Sequence, residues 1–106
     1  MPISPRLVVT SVPSAKVADA LAHALVTEKL AACVTRLAGA RSTYVWKGEL
    51  CTEDELVCLI KTTADRVDAL LARLPALHPY EVPEALVLEV SSGLPPYLAW
   101  LMASTR

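Results

Sequence analysis

The sequence predicts an α+β fold of the split-βαβ, ferredoxin-like type, and three observations predict it. The apolar pattern changes period in the order β-α-β-β-α-β, with a short helical pattern after it. A glycine turn joins the two middle strands, which reads as a long β-hairpin. The chain has 106 residues, 54% of them hydrophobic and 20% charged. That size fits one domain, residues 1–106, and that composition excludes intrinsic disorder. A domain this small buries only about two-thirds of its unfolded surface. The apolar surplus therefore points to a partner-covered surface and an obligate oligomer.

Residues 7–12, Leu-Val-Val-Thr-Ser-Val, are β-formers that stop at Pro13. Ser14 stands next as a helix N-cap. Over residues 15–29 the polar Lys16, Asp19, His23 and Thr27 share one helical face, and Val17, Leu21, Ala24 and Leu25 share another. Residues 31–37 form a second strand, interrupted at Gly39 and resumed over 41–46. There Thr43 and Val45 face one way while Ser42, Tyr44 and Trp46 face the other. Lys47-Gly48-Glu49 closes a tight turn, and residues 55–62 return as the third strand. Thr62-x-x-Asp65 resembles a capping box opening a second helix, whose Val67, Leu70, Leu71 and Leu74 make one apolar stripe that Pro75 kinks or ends. A proline-punctuated loop over 78–84 leads to a fourth strand at 85–90. Pro95 and Pro96 suit the first turn of a final helix over 97–103. Helices cover one sheet face, and the other face is not polar. Residues 50–62, extended at about 3.3 Å each, span roughly 40 Å, so the hairpin projects and its edges call for pairing with another subunit.

Ten basic and eleven acidic side chains give a net charge of -1, without the basic excess of a nucleic-acid binder. The acidic cluster from Glu49 to Glu55 reads as a solvated turn. Cys33, Cys51 and Cys58 are an odd count without C-x-x-C spacing, which suits reduced thiols in the cytosol. Cys33 and Cys58 lie in apolar strands as small hydrophobes, and Cys51 is the more exposed. None has a His or Lys at a spacing that argues for a nucleophile. The N-terminal segment, Met1-Pro2-Ile3-Ser4-Pro5-Arg6 and a short apolar run, is too brief and proline-broken for a secretory signal. No apolar stretch is long enough to span a membrane.

Several segments together resemble one family. They are Thr10-Ser11-Val12-Pro13, Leu25-Val26-x-Glu28-x-Leu30-Ala31-Ala32-Cys33-Val34, and Gly39-x-x-Ser42-x-Tyr44-x-Trp46-x-Gly48. Ile60-Lys61-Thr62, His78-Pro79-Tyr80-Glu81-x-Pro83-Glu84 and Gly93-x-x-x-Tyr97-Leu98-x-Trp100-Leu101 complete the set. In order and at these spacings, over nearly the whole chain, they resemble the divalent-cation tolerance proteins known as CutA. The resemblance implies a ferredoxin-like subunit in a compact homotrimer locked by long hairpins, with an architecture like that of PII-type signalling proteins. It implies a cytoplasmic role in tolerance of copper and other divalent cations, with no catalytic reaction. Thr10 stands where some members carry a cysteine.

His78 is the main metal candidate, because imidazole suits copper, zinc and nickel. A site built on it must recruit Glu81, Glu84, a thiol or another subunit, and the binding expected is weak and exchangeable. The alternative is a histidine that simply ends a helix over its dipole. Tyr44, Trp46, Lys61, Tyr80, Tyr97 and Trp100, with Glu84, form a second constellation that could line a cleft between subunits or serve as interface packing. Lys61 is there either an anion contact or a partner for Glu84. There is no glycine-rich phosphate loop and no sign of an organic cofactor. There is also no G-x-S-x-G, no H-E-x-x-H and no paired carboxylates with an obvious role, so no enzyme is expected. Partners are expected to be copies of the chain itself and divalent metal ions, without nucleic acid or membrane. The other functional expectation is a PII-like sensor of a small anionic metabolite.

Overall fold

The hairpin dominates the architecture. In a computed structural model describing residues 4–106, β2 (Cys33–Trp46) and β3 (Glu49–Thr63) are 14 and 15 residues long and stretch the molecule to 47 × 25 × 23 Å. Met1, Pro2 and Ile3 of the N-terminal segment lie outside the described residues. Lys47 and Gly48 turn the chain with φ of +51° and +81°, so that Trp46 pairs with Glu49. Two consecutive positive φ values match the right-handed twist of the flanking strands.

Two expectations about this hairpin are corrected. β2 is not interrupted at Gly39; it runs through, and the register slips between Leu37 and Ala40. Gly39, at φ +85°, lets the backbone absorb the extra residue as a bulge. β3 begins at Glu49 rather than residue 55, so the acidic cluster lies in a strand and not in a turn. Cross-strand partners hold it there: Arg41 pairs with Asp54 at 3.4 Å, and the hydroxyls of Thr43 and Thr52 meet at 3.2 Å.

β1 (Pro5–Val12) pairs antiparallel with β3 on one side and with β4 (Leu86–Glu89) on the other, giving the order β2-β3-β1-β4. α1 (Ala15–Thr27) follows β1 and is capped by Ser14, whose hydroxyl accepts from the Val17 N–H at 3.2 Å. Its end places Lys29 at φ +60°, with Leu30 N–H donating back to Leu25 carbonyl at 2.9 Å, a Schellman closure with lysine where glycine is usual.

α2 (Val67–Leu77) does not open on the expected capping box. Thr62 points into the structure and donates to the Leu30 carbonyl at 2.7 Å. Thr63 precedes a short 3-10 turn over Ala64–Arg66 and donates to Asp65 Oδ1 at 2.7 Å. The one-residue difference follows from strand alternation, which commits Thr62 to the helix-covered face. Pro75 lies inside α2, and the helix still runs two residues further. α3 (Pro95–Ser104) begins with its two prolines in the first turn.

The core lies between one sheet face and the α1–α2 pair. Val8 and Val12 of β1, Val34 of β2, and Cys58 and Ile60 of β3 pack there against Leu21, Leu25, Leu70 and Leu74. Thr10 faces the same layer, fully buried, and its hydroxyl has no hydrogen-bond partner among the described residues. The opposite sheet face is covered differently along its length. α3 reaches one end of it through Thr105, whose hydroxyl lies 3.4 Å from that of Thr63. Towards the hairpin that face stays open, and Leu37, Leu86 and Leu88 are exposed on it; Val45 and Leu50 are exposed on the other side of the hairpin, beyond the reach of the helices.

Candidate functional site

Strand alternation and one loop build the site. Ser42, Tyr44 and Trp46 share a side of β2, as their spacing predicts, and Glu55 of β3 stands opposite Ala40 two positions earlier. The loop after α2 folds over this surface and brings Tyr80, Glu81 and Glu84. Together with Ser11 and Thr43 they enclose a cleft of about 580 Å³. Its charged lining residues are Glu55, Glu81 and Glu84, all carboxylates.

His78 anchors the loop from behind. The side chain is buried, Nε2 donates to the Ser11 carbonyl at 2.8 Å, and Nδ1 accepts from the Tyr80 N–H at 3.3 Å. These bonds set the tautomer and engage both ring nitrogens. His78 does end α2, yet its ring is tied to β1 and not to the helix terminus. It packs on Tyr80, ring centroids 4.8 Å apart. The Tyr80 hydroxyl donates to Glu55 Oε2 at 2.8 Å. Burial, and then the bond to Glu55, hold the Tyr80 phenol well above its ordinary pKa, so it remains a donor. Glu81 meets Lys47 at 3.6 Å on the rim. Among the described residues, no group of three or more His, Cys, Asp or Glu side chains converges as a ready-made metal site.

Within one chain the expected constellation of aromatics divides. Tyr44, Trp46 and Tyr80 line the cleft; Lys61, Tyr97 and Trp100 do not. Lys61 does not pair with Glu84. Its ammonium donates to the Thr35 hydroxyl and lies 3.8 Å from Cys33 Sγ, because Cys33 and Lys61 are cross-strand partners. Cys33 is therefore half-buried beside a lysine and not an isolated core thiol. Tyr97 stacks on Trp100 at 5.6 Å, and burial raises its phenol pKa. Cys58 is buried, and burial raises its thiol pKa as well. Cys51 is half-buried near the turn.

Glu55 is the residue that sequence reasoning missed. It was grouped with Glu53 and Asp54 as solvated, and those two are exposed. Glu55 is only 7% exposed. Its sequence signal is its phase: it alternates with Val57 and Leu59 on one strand face, where a solvated turn has no such order.

The CutA1 divalent ion tolerance protein family model matches residues 6–104. The chain belongs to the CutA1 family. Among CutA relatives, the divalent-cation tolerance protein of Thermus thermophilus is 46% identical over 100 residues, covering 94% of this chain and 97% of that protein. The Escherichia coli K12 protein of the same description is 45% identical over 100 residues, covering 94% and 89%. Among solved CutA structures, that from Xylella fastidiosa superposes with a TM-score of 0.94 at 46% identity, covering 97% of this chain and 99% of that one. CutA1 from Oryza sativa superposes at 0.95 with 38% identity, covering 99% and 96%. The ferredoxin-like α+β fold read from the sequence is that of the CutA structures.

Proposed function

We propose that this CutA-family chain serves divalent-cation tolerance in the cytoplasm by binding a divalent cation, copper among them, weakly and reversibly in the acidic cleft. The observation that carries the reading is the charge of the lining, which is carboxylate throughout. Glu81 and Glu84 are the accessible donors at the cleft mouth. His78 joins them as an imidazole donor through Nδ1, whose lone pair is freed when its bond from the Tyr80 N–H opens. With so few donors from one chain, water fills the remaining coordination positions, and the ion exchanges readily. The same charge disfavours a small anionic metabolite as the ligand here. The exposed apolar residues of the hairpin and of β4 support assembly as a homotrimer, which covers them.

Calorimetric titration of copper and of manganese tests the site. The double variant Glu81→Gln/Glu84→Gln is expected to lose the binding heat of the wild type, and an unchanged isotherm contradicts the reading. His78→Ala separates the donors: an isotherm identical to wild type removes His78 as a ligand. Sedimentation equilibrium at micromolar concentration tests the assembly, and a monomer there contradicts it.

A further inference from the structure

The cleft holds more than a metal ion uses. Glu55 is nearly all buried, its carboxylate accepts one hydrogen bond, from Tyr80, and among the described residues no basic side chain lies within ion-pair distance of it. Buried carboxylates in proteins are paired or coordinate a cation. The walls around it are aromatic, from Tyr44, Trp46 and Tyr80, with Trp46 and Tyr44 partly open to solvent. Ring faces add little to a hydrated metal ion. They add much to an organic cation, whose methylenes lie on the rings while its ammonium is drawn to the negative ring face.

The chain already shows this mode of contact at the rim. The ammonium of Lys47 lies 5.7 Å from the Trp46 ring centroid and 3.6 Å from Glu81 Oε2. An alkylammonium is thus held between an aromatic face and a carboxylate, one step from the cleft. The cavity, at about 580 Å³, is of ligand size, and its three carboxylates suit a molecule that repeats its positive charge.

We propose that the cleft binds an aliphatic polyamine, with one ammonium at Glu55, a second at the Glu81–Glu84 mouth, and the methylene chain between them lying on Trp46 and Tyr44. This goes beyond divalent-cation binding and does not depend on it. Lys47 is then an internal competitor for the mouth of the site.

The test is calorimetric titration of spermidine into the metal-free full chain at low ionic strength, with Trp fluorescence followed in parallel. One saturable event per chain is expected, together with a change in Trp fluorescence. Trp46→Leu and Glu55→Gln are each expected to weaken it about tenfold. Tyr44→Leu serves as a second wall variant should Trp46→Leu fail to fold. Lys47→Gln is expected to tighten binding several-fold. Manganese titrated into the wild type in parallel reads the metal site by itself: manganese heat without spermidine heat is failure of this proposal alone. Absence of saturable heat at millimolar spermidine overturns the proposal. So does equal spermidine affinity in wild type and the wall variants, which is the behaviour of diffuse surface ion pairing.

Discussion

Glu55, near the middle of β3, and Asp65, two residues past its end, are carboxylates with opposite surroundings. Asp65, just past the end of β3, is half-exposed and fully satisfied. One oxygen accepts from the Thr63 hydroxyl at 2.7 Å and from Arg106 Nη2 at 2.9 Å, and the other accepts from Arg106 Nη1. The Arg106 bonds, and then that of Thr63, hold its pKa well below the usual carboxylate range. Glu55 is far more buried, and among the described residues its carboxylate has one hydrogen-bond partner, the Tyr80 phenol. The half-exposed carboxylate closes the fold by fastening α3 to the end of the sheet. The buried one is left for a cation from outside. The contrast separates a structural ion pair from a binding group inside one domain.

Neither cluster is expected to supply most of the stability, which comes instead from the helix-covered face. Leu21→Ala, at a fully buried position, is therefore expected to cost about 3 kcal/mol in denaturant unfolding at fixed protein concentration. A loss under 1 kcal/mol would move the weight of the fold elsewhere.

The next effect has the opposite sign. Glu55→Gln keeps the shape and removes a buried charge without a basic partner among the described residues, so the unliganded chain is expected to gain on the order of 1 kcal/mol and rise in Tm while spermidine binding weakens about tenfold. A fall in Tm with cation binding intact would make Glu55 a structural group like Asp65.

Thr10→Val asks whether orphaned groups in the core behave in the same way. Its hydroxyl is fully buried without a partner among the described residues, and its removal is expected to stabilise by about 1 kcal/mol with no effect on cation binding.

Asp65→Asn gives the smallest effect, a Tm lower by roughly 2–5 °C, because the pair is half-exposed. Its pH dependence follows from the depressed folded-state pKa. The stabilisation is fully present above the unfolded carboxyl value of about 4 and is lost as pH falls through the lower folded value. Thermal melts from pH 7 to pH 2 are expected to show the gap between wild type and Asp65→Asn narrowing below about pH 4. A gap independent of pH would assign the effect to packing.

Much of this architecture was legible because its signals are local. Ser14 caps where its residue type says it does, Lys47-Gly48 turns where the hairpin needs it, and the alternation of Ser42, Tyr44 and Trp46 puts all three on one side of the cleft. What the sequence hides is non-local. The Cys33–Lys61 approach depends on cross-strand register over 28 positions. The burial of Glu55 depends on a loop 25 residues away bringing Tyr80 over it. The constellation from Tyr44 to Trp100 was one group by residue type, and the fold of one chain parts it into a cleft and an α3 patch. His78 was legible as important but not as tied, since the Ser11 carbonyl that accepts from it lies on β1, 67 positions earlier.

On the reading proposed above, a cation binds in the acidic cleft. Anomalous diffraction from a crystal grown with copper tests it most directly. A copper peak is expected within coordination distance of Glu81 or Glu84, at the mouth of the cleft lined by Glu55. Copper found only at Cys33, Cys51 or His23, with the cleft empty, would contradict it.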